Sequence, residues 1–89
     1  MHICTYNEIK LGGKKMIEQI SKELKATRIR MGLEIEDVAS YMNLSYETIR
    51  KYESGKYNYS LETLEKILNY YKVSPRIFFE NVCAYMHEK

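Results

Sequence analysis

The stretch LSYETIRKYESGKYNYS, residues 44–60, decides how the chain reads. Ser45 is suited to cap a helix, because its side-chain oxygen satisfies an amide that has no partner in the first turn. Thr48 stands three residues later, where glutamate or glutamine would complete a capping box, so the box is incomplete. Ile49 and Tyr52 lie three apart and, with Leu44, mark one inward face. Gly55 follows Ser54 and closes the helix. Residues 56–59, KYNY, read as a loop, and Ser60 is placed to cap the next helix. What remains outward is mixed in charge: Tyr46, Glu47, Arg50 and Lys51. On composition alone, a solvated face explains those four as well as a reading surface does.

Working outward, the helical period dominates from Met16 on. Ile17, Ile20, Leu24, Thr27 and Met31 fall at steps of three and four, and Gly32 stops that helix after two cations in its last turn, Arg28 and Arg30. A second, short helix follows Leu33. Its inward set is Ile35, Val38, Ala39 and Met42, its first turn carries Glu36 and Asp37, and Asn43 is suited to end it. Beyond Ser60 the apolar stripe is Leu61, Leu64, Ile67, Leu68 and Tyr71. Ser74-Pro75 then opens a fifth helix predicted to reach about His87. Five helices and no convincing sheet give an all-α expectation. Asn43-Leu44-Ser45 is about the length of a helix-turn-helix connection.

Composition narrows the function classes. The 89 residues fit one domain. No apolar run approaches the length of a membrane span, and the first ten residues lack the apolar core of a secretion signal, so a cytoplasmic protein is expected. Cys4 and Cys83 are far apart, which favours free thiols over a disulfide. With His2 and His87 they make only two candidate ligands near each end, so no metal site or other cofactor is expected. Nothing resembles a phosphate loop or a nucleophile paired with a base, which argues against an enzyme. The net charge of +2 is weak evidence for a polyanion partner. Its distribution is uneven: six bases against two acids from Lys14 to Arg30, three acids from Glu34 to Asp37, and three bases against one acid from Arg50 to Lys56.

The register of these residues carries a resemblance. Leu24 and Arg28 are followed by Gly32-Leu33, Val38-Ala39, Ser45, Ile49, Glu53-Ser54-Gly55 and Ser60-Leu61-x-x-Leu64. In that order, over roughly Ile20 to Phe79, they resemble the XRE family, the helix-turn-helix repressors of phage lambda and Cro type. The resemblance implies a five-helix lambda-repressor-like DNA-binding domain with the helix-turn-helix at its second and third helices. It also implies an ion pair between Arg28 and Glu53, a third helix that enters the major groove, and base-reading positions at Ser45, Tyr46, Glu47, Arg50 and Lys51. Arg50 or Lys51 would donate to guanine, and Glu47 would accept from a cytosine amino group. Phosphate contacts are implied at Ile35, through its backbone N–H, and along the loop Ser54, Gly55, Lys56, Tyr57 and Asn58. Two departures stand out: Ile35 occupies a position that is usually glutamine, and Tyr59 one that is usually proline.

Family members bind inverted repeats as two-fold dimers. The apolar surplus of Tyr70, Tyr71, Phe78, Phe79, Val82, Tyr85 and Met86 is the candidate dimer surface, and adjacent Phe78 and Phe79 cannot share one face. The expected function is a sequence-specific regulator, a repressor in the first instance, acting as a homodimer on double-stranded DNA. The alternative is an antitoxin-like or other protein-partner module in which DNA is secondary. Residues 1–15 stand apart from the domain at 16–89. They read either as an upstream extension before a start at Met16, because Gly-Gly-Lys-Lys codons imitate a ribosome-binding sequence, or as an arm with a short strand at ICTY, residues 3–6.

Overall fold

A computed structural model describes residues 16–86. Residues 1–15, read as an arm or an upstream extension, and both histidines therefore lie outside the described residues. Five helices run in order: α1 Met16–Arg30, α2 Ile35–Met42, α3 Tyr46–Ser54, α4 Leu61–Tyr71 and α5 Pro75–Met86. No strand occurs among the described residues, and none of their helices is long and apolar enough to cross a membrane.

Local chemistry sets the boundaries. The Ser45 and Ser60 hydroxyls accept the backbone N–H groups of Thr48 and Thr63, both at 3.1 Å. Each fills one of the amide vacancies that every helix start leaves. Asn43 ends α2 in the left-handed region at φ 57°, where asparagine is tolerated. The Leu44 N–H donates back to the Ala39 carbonyl at 2.9 Å. Lys72 ends α4 with the same φ, although lysine has no special tolerance for it. Gly55 ends α3 at φ 81°, and a Cβ there would stand 3.2 Å from the Glu18 Cα. Both the dihedral and the close passage of the loop over α1 require glycine.

α1 packs on α3 and α5, and α2 packs on α3 and α4. One core joins them: Leu24 from α1, Val38 and Ala39 from α2, Ile49 and Tyr52 from α3, Leu64, Ile67, Leu68 and Tyr71 from α4, and Phe78 and Val82 from α5. Ala39 is small because α2 and α3 meet there, with Val38 and Ile49 fully enclosed beside it. Met31 departs from the predicted stripe and is exposed, since it lies beyond the last turn of α1.

Two expectations are corrected. Phe78 has no exposed surface and Val82 is buried, so neither can form part of a dimer surface; α5 turns that edge toward α1 and the core. Cys83 is disulfide-bonded rather than the free thiol expected. The other cysteine, Cys4, lies outside the described residues.

α1 and α5 are joined by a buried carboxylate. Glu23 is 1% exposed and receives the Tyr85 hydroxyl at 2.7 Å, the Asn81 amide at 2.8 Å, Arg30 Nη2 at 2.6 Å and the Thr27 hydroxyl at 3.2 Å. Burial pushes its pKa up, but the bonds from Tyr85, Asn81 and Arg30 outweigh burial and hold it below 4.5. A carboxyl with a depressed folded-state pKa contributes stability that is present above its unfolded pKa and lost as pH falls through the folded value. We therefore expect the wild-type melting temperature to fall more than that of Glu23→Gln as pH drops from neutral to below 4.5. Parallel melting curves across that range would contradict this.

Candidate nucleic-acid interface

α3 is held from behind and open in front. Ile49 and Tyr52 are buried, while Tyr46, Glu47, Arg50 and Lys51 are exposed. The Ser45 hydroxyl also lies 2.8 Å from the Thr48 hydroxyl, so the cap that aims the helix is doubly tied. On the open face Arg50 Nη1 donates to Glu47 Oε1 at 3.4 Å, with both side chains more than half exposed. With Lys51 and Ser54 these two line a shallow dimple.

The rear of α3 is anchored to α1 by Arg28 and Glu53. Arg28 Nε donates to Glu53 Oε2 at 2.7 Å and Nη2 to Oε1 at 3.1 Å, a two-pronged bond. The third guanidinium nitrogen donates to the Leu33 carbonyl at 2.9 Å, so the same side chain fixes the turn between α1 and α2. The bond to Glu53 pushes the Arg28 pKa further up, so the guanidinium stays charged.

The loop after α3 is braced by aromatic rings. Tyr57 stacks on buried Tyr52 with centroids 5.6 Å apart, and Tyr59 packs at a tilt on the same ring at 5.0 Å. The Tyr59 hydroxyl reaches Ser21 Oγ at 3.1 Å, where tyrosine fills the position expected for proline. Not every predicted phosphate contact has free donors. The Ser54 hydroxyl donates to the Lys51 carbonyl at 2.7 Å, and the Lys56 N–H donates to Ser54 Oγ at 3.2 Å. The Lys56 ammonium and the exposed residues Tyr57 and Asn58 remain on the open side. Ile35 sits at the start of α2 with its side chain partly packed on the core. Around its amide stand Glu34, Glu36 and Asp37, and Asp37 already accepts the Glu34 N–H at 2.8 Å. These carboxylates oppose a phosphate at that helix end.

The helix-turn-helix family matches residues 24–78, more than half of the chain and all of α2, α3 and α4. The chain belongs to the XRE-type helix-turn-helix family of DNA-binding transcription regulators. The wild-type restriction-modification controller protein C.Esp1396I shares this fold with a TM-score of 0.77 at 26% identity, over 85% of this chain and 97% of that one. The same controller protein, as a tetramer in complex with its natural 35 base-pair operator, gives a TM-score of 0.75 at 27% identity, over 84% and 99%. No curated protein matches in sequence. Within this helix-turn-helix frame, Glu23 and the stack of Tyr57 on Tyr52 are the features that residue patterns did not reveal. The partners of Glu23 on α5 lie 58 and 62 residues away, and Tyr57 falls in a loop without period.

Proposed function

We propose that this regulator is a repressor that binds an inverted-repeat operator as a homodimer, with α3 of each copy in the major groove. The observation that carries this reading is the division of α3. Its apolar residues and Glu53 are spent on the domain, while Tyr46, Glu47, Arg50 and Lys51 stand unburied on one face at the helix start, where base edges are met. The controller protein bound to its operator supports it. The family and the open site favour a regulator over an enzyme.

A second copy has a place to dock. α4 and the start of α5 enclose an open, mainly apolar groove of about 460 Å³, lined by Leu64, Leu68, Pro75 and Phe79 with Glu62, Glu65 and Asn69 beside them. Leu61 stands at its edge and is 81% exposed. A two-fold axis would let each Leu61 enter the other copy's groove, which is the self-complementarity an isologous contact needs. Of the other aromatic residues expected at a dimer surface, Phe79 lines that groove, whereas Tyr70 stacks on Tyr41 of α2 at 4.2 Å and Tyr85 is hydrogen-bonded to Glu23 of α1; the Met86 side chain lies outside what is described.

Selection of binding sites from random duplexes is the test. We expect an inverted repeat with half-site centres about one helical turn apart. We expect Arg50→Ala to lose on the order of tenfold in affinity per half-site and to relax the preference at one base pair, since a bidentate arginine–guanine contact discriminates by about 1–3 kcal/mol. Recovery of no sequence, with the fold intact, would leave the protein-partner reading instead.

A further inference from the structure

We propose that Tyr57 is a positioning residue for the reading helix: its ring, held by the stack on buried Tyr52, draws Lys51 off the base-reading face, so that Lys51 contacts phosphate while the Glu47–Arg50 couple reads sequence. This rests on the function proposed above and divides labour within it.

The choice of partners on α3 carries the inference. Lys51 is four residues beyond Glu47, the spacing and order that favour a glutamate–lysine pair on a helix. The structure pairs Glu47 with Arg50 instead, at 3.4 Å. The Lys51 ammonium sits 5.9 Å from the centre of the Tyr57 ring, in the loop beyond the helix. That ring is nearly parallel to Tyr52, at 22°, and Tyr52 is 8% exposed, so the platform is fixed to the core. An ammonium over a phenol ring is attracted by the negative face of the ring. The contact turns Lys51 toward the loop that carries Lys56 and away from the helix start. Two cations then lie beside the backbone path, where charge gives affinity without sequence information. Arg50 keeps a carboxylate beside one of its nitrogens, which repels phosphate, an arrangement suited to base edges. Lys51, expected from the sequence to read bases, is thereby reassigned.

The test compares the selected operator with an unrelated duplex, titrated by fluorescence anisotropy between about 50 and 200 mM salt. Lys51→Gln is expected to weaken both duplexes by the same factor, to leave the selected sequence unchanged and to lower the salt slope by about one per half-site. Tyr57→Ala is expected to give a uniform loss of about two- to five-fold, the worth of an exposed cation–π contact. It should add nothing to Lys51→Gln, and Tyr57→Phe should restore the loss. A changed base preference in Lys51→Gln overturns the inference, and so do losses in Tyr57→Ala and Lys51→Gln that multiply. Should Tyr57→Ala melt below the assay temperature, the site selected by Lys51→Gln decides alone. If the wild-type chain binds no duplex, the function proposed above fails, and this inference fails with it.

Discussion

Arg28→Ala should lower the melting temperature by on the order of 15 °C. The Arg28 and Glu53 side chains are 9% and 7% exposed, and each uses two atoms on the other. Removing the arginine strands a carboxylate in that enclosure and takes the donor from the Leu33 carbonyl. Breaking a buried pair on one side costs about 3–5 kcal/mol, whereas an exposed pair is worth at most about 1 kcal/mol. In a domain of this size 1 kcal/mol shifts the melting temperature by about 4–8 °C. Arg28→Lys should recover little, because an ammonium cannot bridge both oxygens and the Leu33 carbonyl as the fork does. The double replacement Arg28→Met with Glu53→Leu should lie closer to wild type than either single change, since it leaves no unpaired charge. Thermal melts of the wild type, these variants and the two single changes Arg28→Met and Glu53→Leu decide. A fall of less than about 5 °C in Arg28→Ala would mean that water screens the pair after all.

Adjacent phenylalanines should behave as opposites. Phe78→Ala is expected to cost about 3–5 kcal/mol in urea denaturation, since its ring is wholly enclosed and its removal leaves a cavity in the core. Phe79 is half-buried, meets Phe78 edge-on at 5.2 Å, and lines the groove between α4 and α5. Phe79→Ala should cost about 1 kcal/mol, as for a side chain only partly removed from water. Its main effect should appear in sedimentation, as a shift from dimer toward monomer. Equal destabilisation by the two changes, with no change in association, would place Phe79 in the core and take the groove out of the interface.

The parts of this fold that were legible in the chain are those decided within a few residues. Ser45, Ser60 and Ser74-Pro75 announce helix starts, and Asn43 and Gly55 announce ends, because cap chemistry involves only neighbouring amides and carbonyls. The end of α4 at Lys72 carried no such signal, since packing rather than propensity holds a lysine in the left-handed region. The partnership of Arg28 with Glu53 was legible only through the register of a family, because the two are 25 residues apart. The face of α5 was misjudged for a different reason. Ile77, Phe78, Phe79, Val82, Cys83 and Tyr85 surround the helix, so an apolar stripe does not single out one side. Contact with α1 then selected Phe78 and Val82. Glu23 was invisible because a glutamate in mid-helix ordinarily faces water, and only the return of α5 across α1 encloses it and adds Asn81 and Tyr85 to its partners on α1.

That carboxylate has a reach beyond its own surroundings. It seats Asn81 and Tyr85 of α5 on α1, and α1 is also the element to which Arg28 ties α3. In the homodimer proposed above, joined along α4 and α5 with α3 of each copy on DNA, the gap between the two α3 helices would depend on that interior seat. A change as small as Glu23→Gln would alter no atom that touches DNA. It would act as a change of ruler, favouring operators whose halves are spaced or twisted differently while the letters read in each half stay the same.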